Sequence, residues 1–225
     1  MIRVDDVTHA FGERVVLRSV SVTLTERRIG IIGANGSGKS TFARLLNGLV
    51  LPDEGTVSVN GVTTATDAGA VRREVGFVFT DPDAQIVMPT VAEDVAFGLR
   101  KHRLGKDKVG RLVADALAGV GLGDHADHPA HLLSGGQKQL LAITSVLITE
   151  PRILVCDEPT TLLDLPNTRR VLAMLDALPQ QVIMVTHDLD SVAGYDRVLL
   201  FHEGRLAADD APAPAVAYYR SLVEE

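Results

Sequence analysis

Apolar residues follow three rhythms along this chain, and each predicts a different kind of element. Near the start Ile2, Val4 and Val7 are spaced as in a strand and lead to a turn at Gly12-Glu13. The run VVLRSVSVTL, residues 15–24, alternates apolar and polar residues over its second half. Both predict half-buried antiparallel strands. IGIIG, residues 29–33, is a continuous apolar run and predicts a strand buried on both faces. A glycine-rich loop follows. After it STFARLLNGL places Phe42, Leu45, Leu46 and Leu49 as one helical face. GTVSVNG, residues 55–61, predicts an edge strand or the arm of a hairpin.

The rhythm changes after VGFVF, residues 75–79. Residues 90–121 take helical spacing, with Val91, Val95 and Leu99 in one stripe. Val109, Leu112, Val113, Ala116, Leu117 and Val120 form a second stripe, which Gly121 and Gly123 end. Beyond it strand and helix alternate: ILVC, TRRVLAMLDAL, QVIMV, a short helix from Asp188, and RVLLF. That alternation predicts parallel pairing with right-handed crossovers. The tail from Ala208 is rich in Ala, Pro and Asp, with a short helix expected around Tyr218. The pattern predicts a core lobe over about residues 1–80 and 150–225 and a helical lobe over about 81–149.

Composition narrows the function classes. The 225 residues carry 22 Lys and Arg against 29 Asp and Glu, a net charge of −7. With an isoelectric point near 5.5, broad binding to a phosphate backbone is disfavoured, so no nucleic-acid partner is expected. Mean hydropathy is +0.16, but no apolar run approaches the ~20 residues that span a bilayer. The opening MIRVDD lacks the basic, apolar character of an export signal, and a single cysteine, Cys156, fits a reducing compartment. Attachment to a membrane is therefore expected to run through another protein.

Three segments carry chemistry. GANGSGKS, residues 33–40, fits G-x-x-x-x-G-K-[ST] between a predicted buried strand and a predicted helix. Gly33, Gly36 and Gly38, with Ala34, Asn35 and Ser37 between them, let backbone amides turn toward an anion. The helix start, running on into Thr41, adds unpaired N–H groups. Lys39 supplies a point charge for the β- and γ-phosphates, and the Ser40 hydroxyl a ligand for Mg²⁺. ILVCDE, residues 153–158, delivers two carboxylates to the C-terminal end of a core strand, where open α/β sheets bind ligands. Asp157 is placed to hold Mg²⁺ through water, and Glu158 to orient or deprotonate an attacking water, a contribution of roughly 10²–10⁴ in rate. LSGGQ, residues 133–137, opens a helical run; Ser134, Gly135 and Gly136 there form a second anion-binding helix start. His125, His128 and His131 in HADHPAH read as a solvated linker rather than a metal site. Arg169 and Arg170 read as an exposed helix face.

In that order the three segments, followed by VTHD with His187, resemble the ATP-binding subunits of ABC transporters over nearly the whole chain. The resemblance implies an α/β P-loop ABC ATPase: a RecA-like mixed-sheet core, an antiparallel β subdomain and a helical subdomain. It implies ATP and Mg²⁺ as cofactors, and a head-to-tail dimer, most simply a homodimer. There Ser134, Gly135, Gly136, Gln137 and Asp164 of one chain complete the ATP site of the other. It also implies that His187 contacts the γ-phosphate and that Phe11 stacks on adenine. Two positions depart from the pattern. Leu162 stands where a glycine is usual, two residues before Asp164. Thr80 replaces the glutamine expected after VGFVF, so contact with Mg²⁺ there would run through water.

DPDAQIVMPTVAEDVAFG, residues 81–98, is similar to the corresponding loop of energy-coupling factor (ECF) ATPases, which import vitamins and metal ions. That implies a peripheral protein on the cytoplasmic face of the membrane, partnered by a transmembrane coupling subunit, with Gln85 on the coupling side, and by a substrate-binding membrane subunit. Within the group, ERRIGIIGANGSGKSTFARLLNGLVLP is most similar to biotin-transport ATPases, with cobalt or nickel systems and conventional ABC transporters as alternatives. ABC-type ATPases of DNA repair insert long coiled coils, and no sustained heptad run is present. Ribosome-associated ABC proteins need two such domains and basic surfaces.

Overall fold

The computed structural model describes residues 1–224. They fall into two compact units, one built from residues 1–76, 152–158 and the chain from Leu178 on, the other from residues 77–151 and 159–177.

The first unit opens with β1 (Ile2–Phe11) and β2 (Arg14–Leu24), which pair antiparallel. Ile2, Val4, Val7, Leu17, Val20, Val22 and Leu24 are buried, as the spacing predicts. Buried β3 (Arg28–Ile32) leads through the glycine loop into α1 (Lys39–Leu45). β4 (Glu54–Val59) pairs with β1 on one side and with β5 (Val62–Thr63) on the other. It is thus a hairpin arm inside the sheet β2-β1-β4-β5, not an edge; the edge is the two-residue β5, too short to leave a pattern. α2 (Ala68–Glu74), capped by Asp67, precedes β6 (Val75–Val78), which runs across the division between the units.

The second unit is helical. The expected 90–121 stretch is two helices: α3 (Val91–Gly98), with a closed capping box at Thr90 and Glu93, and α4 (Lys106–Gly119). A 3-10 turn and Arg103, at φ 52°, break the register between them. α5 (Gly135–Leu147) packs against both. Asp94 of α3 is buried but paid for, accepting from the amides of Val87 and Met88 and from the Ser145 hydroxyl at 2.8–3.1 Å.

β7 (Ile153–Asp157) belongs to the first unit, and α6 (Leu165–Ala177) to the second. β8 (Gln181–Val185), β9 (Arg197–His202), β10 (Arg205–Asp210) and α7 (Pro212–Glu224) complete the chain as described. The second sheet has the order β10-β9-β3-β8-β7-β6; its β3, β7, β8 and β9 pairings are parallel, and β10 lies antiparallel on β9. Parallel pairing from alternating elements was legible; β10 was not, because LAADD has none of the β-branched residues that mark a strand. The helix expected near Tyr218 runs from Pro212, since proline is tolerated in a first turn.

Candidate functional site

In the first unit the phosphate-loop residues and the strand-end acids meet at one cleft of about 270 Å³. Phe11, Asn35, Gly36, Gly38, Lys39, Ser40, Thr41 and Glu158 all line it. The loop must pass close to β9. A Cβ on Gly33, at φ +142°, would lie 2.1 Å from the Phe201 carbonyl oxygen. Gly38 caps α1 with no side-chain hydrogen bond, so the first amides of that helix have no capping oxygen. Lys39 is 5% exposed and donates from Nζ to the carbonyls of Gly33 and Ala34 at 2.6 and 2.8 Å. Ser40 Oγ donates to Asp157 Oδ1 at 2.8 Å, and Arg44 Nη2 lies 3.7 Å from Asp157 Oδ2.

Burial dominates the electrostatics. It pushes the Lys39 ammonium below its ordinary pKa despite the pull of Glu158 and Asp157. It pushes the Asp157 carboxyl above its ordinary value despite the Ser40 hydrogen bond and Arg44. In both groups burial outweighs the opposite charges nearby, and the buried Ser37 Oγ has no hydrogen-bond partner. A phosphate offers the loop donors and the Lys39 ammonium a charged acceptor, and a divalent cation favours the ionised form of the buried Asp157 that burial disfavours, so these residues fit Mg²⁺–nucleotide.

Glu158 leaves β7 in the left-handed region, at φ 52°. Its amide still donates to the Val185 carbonyl at 3.0 Å, while its side chain lines the cleft. A non-glycine residue held there carries strain of order 1–3 kcal/mol, typical of functional positions. His187 Nδ1 is 2.5 Å from Glu158 Oε2. An ionised carboxylate only accepts, so Nδ1 carries the proton. Phe11 is 55% exposed and meets His9 edge to face at 4.8 Å. Sequence reading passed over Arg14, which also lines the cleft; its guanidinium lies 3.5 Å from where a Gly36 Cβ would stand.

In the second unit LSGGQ closes on itself. Ser134 N donates to Gln137 Oε1 at 2.9 Å, and Gln137 N donates to Ser134 Oγ at 3.4 Å, a capping box at the start of α5. A Cβ on Gly136 would fall 2.3 Å from Asn167 Cγ. Asp164 Oδ1 accepts from Asn167 N and Nδ2 at 3.1 and 2.7 Å. Asn167 thus touches both the signature turn and the aspartate loop, a contact no local motif marks. Leu162 is 64% exposed.

Gln85 is spent internally: Oε1 accepts from Phe79 N at 3.0 Å and Nε2 donates to the Ala142 carbonyl at 3.1 Å. Thr80 follows β6 and is half-buried. HADHPAH is not simply a solvated linker, because half-buried His125 bonds Gln137. Arg169 and Arg170 are exposed, Arg170 donating to the Val120 carbonyl.

A phosphate loop, a buried strand-end aspartate and an adjoining glutamate define a P-loop nucleoside-triphosphatase. Residues 17–161 match the ABC transporter family model. The chain belongs to that family and is an α/β ABC ATPase, with ATP and Mg²⁺ as its cofactors. It is 55% identical to an ABC transporter ATP-binding protein of Deinococcus radiodurans over 98% of this chain and 97% of that protein. It is 50% identical to a biotin transport ATP-binding protein of Rhizobium etli over 95% of each. An energy-coupling factor transporter ATP-binding protein of Levilactobacillus brevis is 38% identical over 100% of this chain and 83% of that protein. Among solved structures, cbiO1 of Clostridium perfringens, part of the ABC transporter complex cbiONQ, superposes with a TM-score of 0.84. It is 30% identical, over 99% of this chain and 93% of that one. A dimeric ATP-binding cassette in a post-hydrolysis state with ADP and Pi also has a TM-score of 0.84, at 27% identity over 94% of this chain and 99% of that one. Among the described residues no helix is long and apolar enough to cross a membrane.

Proposed function

We propose that this chain is the ATP-hydrolysing subunit of an ECF-type importer whose cargo is biotin, working as a head-to-tail homodimer on the cytoplasmic face of the membrane. The observation that carries the reading is the division of labour between the two units. The first holds a lysine, a magnesium-binding aspartate and a water-activating glutamate around one cleft. The second holds a self-closed signature turn with no acidic residue in its first helical turn, and the one lysine there, Lys138, is ion-paired with Asp83 at 2.7 Å. Each set lacks what the other has, so a second copy completes the site.

In this reading Lys39, Ser40, Thr41 and the amides of residues 33–38 grip the triphosphate, and Ser40 and Asp157 hold Mg²⁺, with Thr80 acting through water. Phe11 receives the adenine face. Glu158 accepts a proton from the attacking water, and His187, pinned to it, faces the γ-phosphate. Ser134, Gly135, Gly136, Gln137 and Asp164 of the second copy close the far side. Contacts made to the γ-phosphate are lost with ADP, so hydrolysis reopens the pair. Gln85 shapes the loop toward the transmembrane coupling subunit by tying Phe79, just after β6, to α5 rather than by its own outward contact. A substrate-binding membrane subunit completes the importer. Support for biotin is the 50% identity to a biotin transport ATP-binding protein.

Glu158→Gln tests the engine. With Mg²⁺-ATP it is expected to sediment as a dimer and to hydrolyse at well under a hundredth of the wild-type rate. A monomer at saturating ATP would overturn the sandwich. Affinity capture of the tagged chain with its membrane partners, followed by mass spectrometry and labelled-biotin uptake, tests the cargo.

A further inference from the structure

Gln137 is held by a residue twelve positions earlier that belongs to none of the motifs. We infer that His125 is a positioning residue for the signature turn: it holds the Gln137 amide in the one orientation that closes the capping box over Ser134. This deepens the proposed trans site and rests on it.

The argument is one of donors and acceptors. Gln137 Oε1 takes the Ser134 amide hydrogen at 2.9 Å, which identifies the other end of the side chain as the NH₂ group. That NH₂ lies 3.2 Å from His125 Nε2. An amide NH₂ only donates, so His125 Nε2 must accept, and the ring is the neutral Nδ1–H tautomer. Nδ1 is itself buried and has no partner. An unmet buried donor is a cost, and here the cost maintains an acceptor toward Gln137. Without that acceptor the NH₂ end has no partner, and the side chain loses one of the two bonds that keep Oε1 on the Ser134 amide. The box then opens, and Ser134 Oγ and the first amides of α5 lose their fixed direction. The 3-10 turn Gly123–His125 that carries the ring follows α4 and packs on it, so the ring is delivered by folded structure rather than by a flexible linker.

The test uses the full chain carrying Glu158→Gln and reads Mg²⁺-ATP-dependent dimerisation by sedimentation, with fluorescent-nucleotide binding and thermal unfolding in parallel. His125→Phe keeps a ring but removes the acceptor. It is expected to weaken the dimer about threefold to tenfold, the loss of one neutral hydrogen bond, with single-chain nucleotide binding unchanged. Its melting temperature should not fall, because phenylalanine has no orphaned nitrogen. His125→Gln, which restores an oxygen near the Nε2 position, should return the dimer to within about twofold of the parent. Gln137→Ala should weaken it at least as much as His125→Phe. If Gln137→Ala weakens the dimer and His125→Phe does not, or if His125→Gln behaves like His125→Phe, the inference is overturned and the proposed function stands. If the parent stays monomeric, the proposed function itself fails. Independently of any variant, ¹⁵N spectra of the histidine rings should show the Nδ1–H tautomer at His125; an Nε2–H ring would also overturn the inference.

Discussion

The starts of α1 and α5 are built from the same materials, glycine and serine at a helix N-terminus, and they treat their amides in opposite ways. α1 is capped by Gly38, which has no side chain to offer, and is flanked by a buried lysine and a buried aspartate. α5 is capped by its own Ser134 and Gln137, has no acidic residue in its first turn, and its one early cation, Lys138, is paired with Asp83. The first leaves its donors to a ligand and buries its charged groups; the second satisfies itself. A helix start therefore does not define an anion site by sequence alone. What the cap does with the orphan amides decides whether the site is strong by itself or only completes another.

The most severe way to break this contrast is at Lys39. Lys39→Ala is expected to lower ATP affinity about 100-fold or more, because a charged donor to phosphate is lost from a desolvated loop. Signature variants should leave single-chain affinity alone. Equal losses from Lys39→Ala and Ser134→Ala in calorimetric titration would mean the two helix starts are not different in kind.

Next in size is Gly136→Ala. The new Cβ collides with Asn167, and the chain should lose about 1–3 kcal/mol of stability and its ATP-dependent dimer. Adding Asn167→Ala should restore much of the stability, read as a coupling energy in a double-mutant cycle of denaturant unfolding. Strict additivity would refute the close approach as the reason for glycine.

A smaller effect sharpens the charge side of the comparison. Since burial raises the Asp157 pKa, the folded state holds that proton more readily than the unfolded state. The stability this group contributes is full below its unfolded value and is lost as pH rises through the raised folded one. Asp157→Asn should therefore melt about 2–4 °C higher than wild type at neutral pH without Mg²⁺, with a gap that narrows toward acid, while hydrolysis is lost. A lower melting temperature at neutral pH would show that Ser40 and Arg44 already balance the carboxylate. Smallest is Thr80→Gln, expected to hydrolyse ATP at least as fast as wild type in a steady-state assay; a large loss would give the hydroxyl a function of its own.

Much of this was legible in the order of residues, for a physical reason. A phosphate loop needs its glycines, lysine and serine adjacent in the chain, and a strand that ends in two acids announces itself by four apolar residues before them. What was hidden is held by distance. Asn167 meets Gly136 only after α6 folds back, and His125 meets Gln137 across a turn whose composition reads as linker. Gln85 reads from its loop as facing the coupling subunit because nothing local shows that both ends of its amide meet backbone. The left-handed backbone of Glu158 has no sequence mark, since glutamate rarely adopts it.

Cys156 lies fully buried in β7, and burial with the neighbouring Asp157 pushes its thiol far above the range where thiolate forms. It is also the only sulfhydryl of the 225 residues. Alkylating dyes should pass it by while the chain is folded. A reporter cysteine placed on the exposed surface of either unit can then carry a spin label or fluorophore against a silent background, so movement during turnover becomes measurable in a chain altered at a single position.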